Sequence, residues 1–292
     1  MKILITGANG FLGKNLYQIL RKEHTILTFD SFTNFLSDPE KLSYNQKINS
    51  CDCIIHAAGL AHTDINSVEH FKINYEGTKT LINRVKTTSN IKAFIFISSV
   101  SVYGLTNGSS ISEEVLCKPN CAYGKSKLNA ENYICDFFKN SEVNYVILRL
   151  PLLVGSPPIG NFKTLIKAIK GKRYVQIGNG SVEKSILSVQ DIGKNFAKII
   201  EVRGIYNLTD GYNIKIKVLN EIIKRKTNGN YIIVNPSIIK PIFLLGEFLK
   251  LRKINLSTYQ KLTKELTFSD KKAQKEMNWS PTSVINYLNN DW

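Results

Sequence analysis

The first twenty residues constrain the fold more than any other part of the chain. Lys2-Ile-Leu-Ile-Thr6 is an unbroken apolar run of the length expected for a strand buried on both faces. Gly7-Ala-Asn-Gly10-Phe-Leu-Gly13 follows at once, and Lys14 to Leu20 continues with helical spacing. Strand, glycine turn and helix in this order make a dinucleotide site. Gly7 permits the tight turn, Gly10 lets the backbone approach a pyrophosphate, and Gly13 lets the helix pack on the strand. Free N–H groups and the dipole at the helix N-terminus favour the anion.

The chain then alternates as a parallel α/β sheet requires. A second strand, Thr25-Ile-Leu-Thr-Phe-Asp30, ends in a carboxylate about 20 residues past the turn, where it accepts hydrogen bonds from an adenosine ribose. Asp30 would repel a 2′-phosphate and no arginine follows it, so NAD(H) is expected over NADP(H). Small residues end the next strand, Cys53-Ile-Ile-His56-Ala57-Ala58-Gly59, and let the backbone lie against a flat cofactor. Asn74 falls early in a helical segment and can tether the strands around the site. Ala93 to Ile97 is another buried strand, ending in Ser98-Ser99-Val-Ser101-Val-Tyr103-Gly104.

Tyr123 and Lys127 follow, four residues apart, on a predicted helix. Positions i and i+4 share a face, so phenol and ammonium can act on one small volume. A phenol ionises near pH ~10, and a fixed cation beside it favours the phenolate, a usable proton donor and acceptor. Tyr75 and Lys79 have the same spacing and read as a solvated helix face. Only the Tyr123 pair follows a strand-end serine cluster.

These residues resemble the extended short-chain dehydrogenase/reductase family, in its nucleotide-sugar epimerase, dehydratase and ketoreductase branch. The motifs are GANGFLG, HAAG, NYEGT, SSVSVYG, YGKSK and KEMNWSP, spread from Met1 to about Pro281. The resemblance implies a Rossmann-type doubly wound parallel sheet with a smaller, interleaved α+β substrate lobe. It makes residues 1–153, rejoined by 185–210, the dinucleotide domain, and 154–184 with 211–292 the lobe. It assigns Ser99 rather than Ser98 to hold the reacting oxygen, Tyr123 as general acid/base, and Lys127 to bind the nicotinamide ribose and depress the tyrosine pKa. Gly7, Gly10, Phe11, Leu12, Gly13, Asp30, Ala57, Ala58, Gly59 and Asn74 go with the cofactor. The implied substrate is a nucleotide-diphosphate sugar, with Asn161, Lys184 and Lys261 as candidates for its phosphates; a homodimer is the family expectation.

The same resemblance bears on the reaction. In UDP-galactose 4-epimerases the strand after the catalytic helix carries an Asn in an Arg-x-x-Asn pattern. Here Arg149-Leu-Pro151-Leu152 puts leucine there, which looks more like enzymes that reduce a 4-keto-6-deoxy sugar nucleotide for surface polysaccharides. Ser99 is followed by Val100, with no acid to eliminate water, so a dehydratase is disfavoured. A C4 ketoreductase is the expected activity and a C4 epimerase the alternative. A cofactor-sensing protein is the remote third, because a fold alone does not give function.

Composition narrows the setting. The 292 residues hold one large α/β domain plus a smaller lobe. No apolar run reaches the ~18–20 residues that cross a bilayer, and the apolar N-terminus is a first strand rather than a signal peptide. Five cysteines lack metal spacing and read as reduced thiols, which makes a cytoplasmic enzyme without a metal the expectation. A net charge of +16 with scattered lysines and no nucleic-acid module suits an anionic diphosphate substrate better than specific nucleic-acid binding. Ile238 to Lys253, apolar with basic ends, reads first as a core helix of the lobe or a dimer contact. Its pattern also leaves peripheral contact with the inner membrane face open. Residues 31–50 are too few for a strand-plus-crossover unit of about 30 residues, so one sheet element is expected to be shortened or absent.

Overall fold

A computed structural model of the chain describes residues 1–29, 31–61, 67–88, 91–251, 254–290 and 292. Four strands of the central sheet come early: β1 (Lys2–Thr6), β2 (Thr25–Thr28), β3 (Cys53–His56) and β4 (Ala93–Ser99). Asn144–Leu150 and Gly204–Asn207 complete it, and the spatial order is Gly204–Asn207, Asn144–Leu150, β4, β3, β1, β2. Every neighbouring pair is parallel. From β1 the chain builds outward first to β2 and then, on the other side, through β3. That reversal opens a crevice beyond the carboxyl ends of β1 and β3, where open α/β sheets bind ligands.

Both faces of the sheet are covered, which is why its strands read as continuous apolar runs. Ile3, Ile5, Ile55 and Ile95 pack with Leu12 and Leu16 of α1 (Phe11–Leu20) on one side. Leu4, Ile54, Phe94 and Phe96 pack with Leu81, Ile134 and Phe138 on the other. Two short helices, α2 (Phe32–Ser37) and α3 (Leu42–Ser50), fill the stretch between β2 and β3. Phe29 stacks on Phe35 with ring centroids 4.9 Å apart and meets the Tyr44 ring edge at 4.9 Å. This aromatic plug closes the face beside β2, which is the edge of the sheet; the short 31–50 segment holds helices where a further strand would go.

Beyond Val154 a second core forms around Phe162, Ile166, Leu219, Ile222 and Tyr287. It is built by the helices Gly160–Lys170, Ile216–Thr227 and Val284–Asn290. The chain returns to the sheet between these pieces. Ile186–Ser188 pairs with Leu152–Val154, and Gly204–Asn207 pairs with Asn144–Leu150. A small four-stranded sheet, Ile214–Lys215, Glu183–Lys184, Leu266–Phe268 and Gly108–Ile111, joins the lobe to the segment that leaves β4.

Candidate active site

The glycine turn folds as it does because side chains have no room in it. Gly7 has φ +72°, and a Cβ there would lie 2.6 Å from the Ala58 amide nitrogen. A Cβ on Gly13 would collide with the Gly7 carbonyl, so α1 packs directly on the turn. Gly10 stands at the N-cap, where no side chain caps the helix and no acid lies in its first turn. The ten-residue helix therefore presents free N–H groups and the positive end of its dipole.

Gly10, Phe11, Leu12 and Gly13 form part of the wall of a cavity of about 530 Å³. Ala57 and Gly59 line it after β3, and Ser99, Tyr123 and Lys127 line it after β4. Gly160 and Asn161 reach it from the lobe. Gly7 and Ala58 stand behind the wall and shape it through the contact just described.

Tyr123 sits in the first turn of the Ala122–Phe138 helix, which starts against the end of β4. Gly124 permits that approach, since a Cβ there would be 2.5 Å from the Ser101 carbonyl oxygen. The Ser99 hydroxyl lies close enough to the Tyr123 phenol to favour its ionised form. It also accepts from the Ser101 amide at 3.2 Å and donates to the Ser101 hydroxyl at 3.1 Å. Ser98 points the other way, its hydroxyl donating to buried Glu131. Lys127 is buried; its ammonium donates to the Ile97 carbonyl at 2.8 Å and lies 4.5 Å from the centre of the Phe96 ring.

The charges of this pair correct one expectation. Burial pushes the Tyr123 phenol up to about 12, opposed by the neighbouring Ser99 hydroxyl. Burial also pulls Lys127 down to about 8, opposed by the Glu131 carboxylate. Lys127 is not among the groups that lower the phenol, and one of its three N–H donors is held by the Ile97 carbonyl. Tyr123 is held protonated at neutral pH, the form of a proton donor.

Asn74 is a tether and does not line the cavity, which replaces its expected cofactor contact. Fully buried on a π-helical stretch, Phe71–Glu76, it accepts from the Leu60 amide at 2.8 Å. It donates to the Leu60 carbonyl and the Ser126 hydroxyl, both at 3.1 Å. Lys184 and Lys261 also miss the cavity. Lys184 lies in the small four-stranded sheet, where its ammonium donates to the Lys264 carbonyl at 2.7 Å and burial pulls it down to about 8. Lys261 is exposed on the Leu256–Thr263 helix. Asp30 lies outside the described residues.

Two groups escaped the sequence reading. His56 bridges β1 and the helix behind the site: Thr6 Oγ1 is 2.6 Å from its Nδ1 and Thr78 Oγ1 is 2.9 Å from its Nε2. Thr78 donates its proton to the Asn74 carbonyl, so His56 Nε2 carries a hydrogen and Nδ1 accepts. Glu131 takes a forked pair from Arg149, with Nη2–Oε2 at 2.7 Å and Nε–Oε2 at 3.1 Å. Glu131 lies four residues past Lys127 and eight past Tyr123, so its helical spacing was a usable signal.

Residues 3–209 match the NAD dependent epimerase/dehydratase family. The chain belongs to that family. It is 26% identical over 242 residues to an N-acetyl-alpha-D-glucosaminyl-diphospho-ditrans,octacis-undecaprenol 4-epimerase of Escherichia coli O157:H7, covering 79% of this chain and 70% of that one. It is 27% identical over 242 residues to a GDP-6-deoxy-D-mannose reductase of Pseudomonas aeruginosa, covering 76% and 79%. In fold it is similar to a UDP-glucuronic acid 4-epimerase from Bacillus cereus solved with NAD, at a TM-score of 0.75 and 21% identity over 99% and 96% of the chains. As an epimerase/dehydratase family enzyme it uses a nicotinamide dinucleotide. The bare glycine turn, the uncapped helix end and the cavity between them fit that group.

Proposed function

We propose that this enzyme reduces the C4 ketone of a 4-keto-6-deoxy hexose carried on a nucleotide diphosphate. The observation that carries the reading is Tyr123, kept protonated beside Ser99 in the cavity that also meets the α1 N-terminus. A dinucleotide bound along Gly10–Gly13 supplies the hydride chemistry. Ser99 and Tyr123 then hold the ketone oxygen by two hydroxyl donors, and Tyr123 delivers a proton to it as charge develops. Such preorganised donors are usually the largest contribution to catalysis. Lys127, fixed by Ile97, keeps two further N–H donors with which to restrain the ribose. Asn161 meets the substrate diphosphate from the lobe. The cofactor is NAD(H), on the strength of Asp30 in the sequence.

Reduction suits this environment better than oxidation. With its phenol raised to about 12, Tyr123 rests protonated at pH 7 and so already carries the proton that a reduction consumes. Leu152 also lines the cavity, so that strand offers an apolar surface where an amide would help hold a substrate through epimerisation. The 4-epimerase reading stands second, favoured by the several 4-epimerases among the relatives.

Purified enzyme is first denatured to measure released dinucleotide, then given a 4-keto-6-deoxy sugar nucleotide with NADH or NADPH. One cofactor oxidised per sugar reduced is the expected result. Copurified NAD, with turnover of a UDP-hexose and no net oxidation, sinks the reductase and leaves the epimerase. Tyr123→Phe is expected to lower kcat by about 10²–10⁴-fold while dinucleotide affinity changes little. Turnover unchanged in that variant removes the mechanism.

A further inference from the structure

The lobe carries an apolar surface that its own core leaves uncovered. Of the 21 exposed large apolar side chains among the described residues, eleven lie between positions 232 and 262. The helix Pro236–Phe248 buries only Gly246. Ile238, Ile242, Leu245 and Leu249 follow one another at helical spacing on one stripe, with Phe248 beside it and Leu244 further round the helix. Ile238 is 66% exposed, Leu245 58% and Phe248 82%. Ile232 and Ile233, on the strand Tyr231–Val234 just before this helix, are each 61% exposed. So many exposed apolar side chains along one helix mark a site of contact.

Charge identifies what it contacts. Residues 231–264 contain six basic residues, Lys240, Lys250, Arg252, Lys253, Lys261 and Lys264, against one acid, Glu247. That acid is engaged, its carboxylate accepting from the Leu256 amide at 3.1 Å at the start of the next helix. Lys240, Lys250, Lys261 and Lys264 are exposed. A second copy of the same surface would bring these cations against each other. An anionic lipid leaflet complements both the apolar stripe and the basic rim. The helix is 13 residues long, roughly 20 Å, against a hydrocarbon core of about 30 Å. Among the described residues no helix is long and apolar enough to cross a membrane.

We infer that the hairpin of Pro236–Phe248 and Leu256–Thr263 docks the enzyme on an anionic bilayer, with the first helix lying in the interface plane. This goes beyond the proposed reaction and does not depend on it. The hairpin is also tied to the site, because Thr106 Oγ1 donates to Gln260 Oε1 at 2.8 Å. Thr106 lies a few residues beyond the Val100–Tyr103 turn that starts at Ser99, so the docked face and the catalytic serine share one short connection.

The test is sedimentation of the full chain with vesicles of phosphatidylcholine alone or with about 40 mol % phosphatidylglycerol. Binding to the anionic vesicles is expected to exceed binding to the neutral ones by about tenfold, and to fall in high salt. Leu245→Glu with Phe248→Glu is expected to reduce it about tenfold without changing turnover or Tm. Lys240→Ser with Lys250→Ser keeps the apolar face and is expected to lose the anionic preference; it serves equally if the first variant fails to fold. Wild-type protein that ignores both vesicles overturns the inference. So does a wild-type dimer that ignores vesicles and that Leu245→Glu with Phe248→Glu splits into monomers, since the face then belongs to a second copy.

Discussion

His56 shows how a single buried side chain can tie stability to pH. Burial, helped by the Lys127 charge, holds its imidazole neutral down to about pH 3, whereas an exposed histidine takes its proton near 6.5. Between those values the unfolded chain binds a proton that the folded chain refuses. Stability from this residue is therefore whole above about pH 6.5 and falls as acid is added, by up to about 1.4 kcal/mol per pH unit. His56→Gln is expected to cost about 2 kcal/mol at pH 7.5, through the lost Thr6 partner, and to flatten the curve between pH 6.5 and 4. Urea unfolding across that range reads both; parallel curves for the two proteins would contradict the assignment. The sequence showed His56 only as one letter of a strand end. Ser99, Tyr123 and Lys127 were nominated by their order along the chain and by the resemblance, and the structure brings the three to one cavity. Their pKa directions were not legible, because burial is a property of the packed helix and strand.

At the scale of elements, the Glu131–Arg149 pair joins the helix Ala122–Phe138 to the strand Asn144–Leu150, and Ser98 adds β4 to the same joint. Arg149 continues it by donating to the Tyr103 hydroxyl at 3.0 Å, and Tyr103 donates to Asn207 at 2.8 Å. Four segments distant in sequence meet on one ion pair that is 4% and 1% exposed. Glu131→Ala leaves a guanidinium buried and unpaired, and is expected to cost about 3–5 kcal/mol. Glu131→Leu with Arg149→Met removes both charges and should recover most of that loss. Denaturant unfolding of the three proteins decides it: a double variant no better than Glu131→Ala means that the pair is not the joint. Elements were legible where a pattern has one physical cause, as in the apolar run, glycine turn and amphipathic helix of residues 2–20. The shortfall of residues 31–50 was legible by length. The π-helical turn that aims Asn74 at Leu60 leaves no such mark, and neither does the cross-chain sheet that carries Lys184 away from the cavity.

On the scale of the whole molecule, the question is what a net charge of +16 does. Among the described residues that line the cavity Lys127 is the one cation, and it is buried and engaged with Ile97. Lys184 and Lys261, which the resemblance had nominated, lie away from the cavity. An anionic diphosphate would thus be drawn in less by a built clamp than by the summed field of exposed lysines and by the α1 N-terminus. Such a field is screened: the Debye length shrinks from about 30 Å at 0.01 M salt to about 3 Å at 1 M. KM for a nucleotide-diphosphate sugar is therefore expected to rise about tenfold between low and high salt, with kcat nearly unchanged. Steady-state kinetics across that range, at saturating cofactor, measures both constants separately. A KM indifferent to salt would mean that the excess charge does not serve the substrate. If vesicle binding by the same protein still fell with salt, the charge would belong to the basic rim of the 231–264 hairpin.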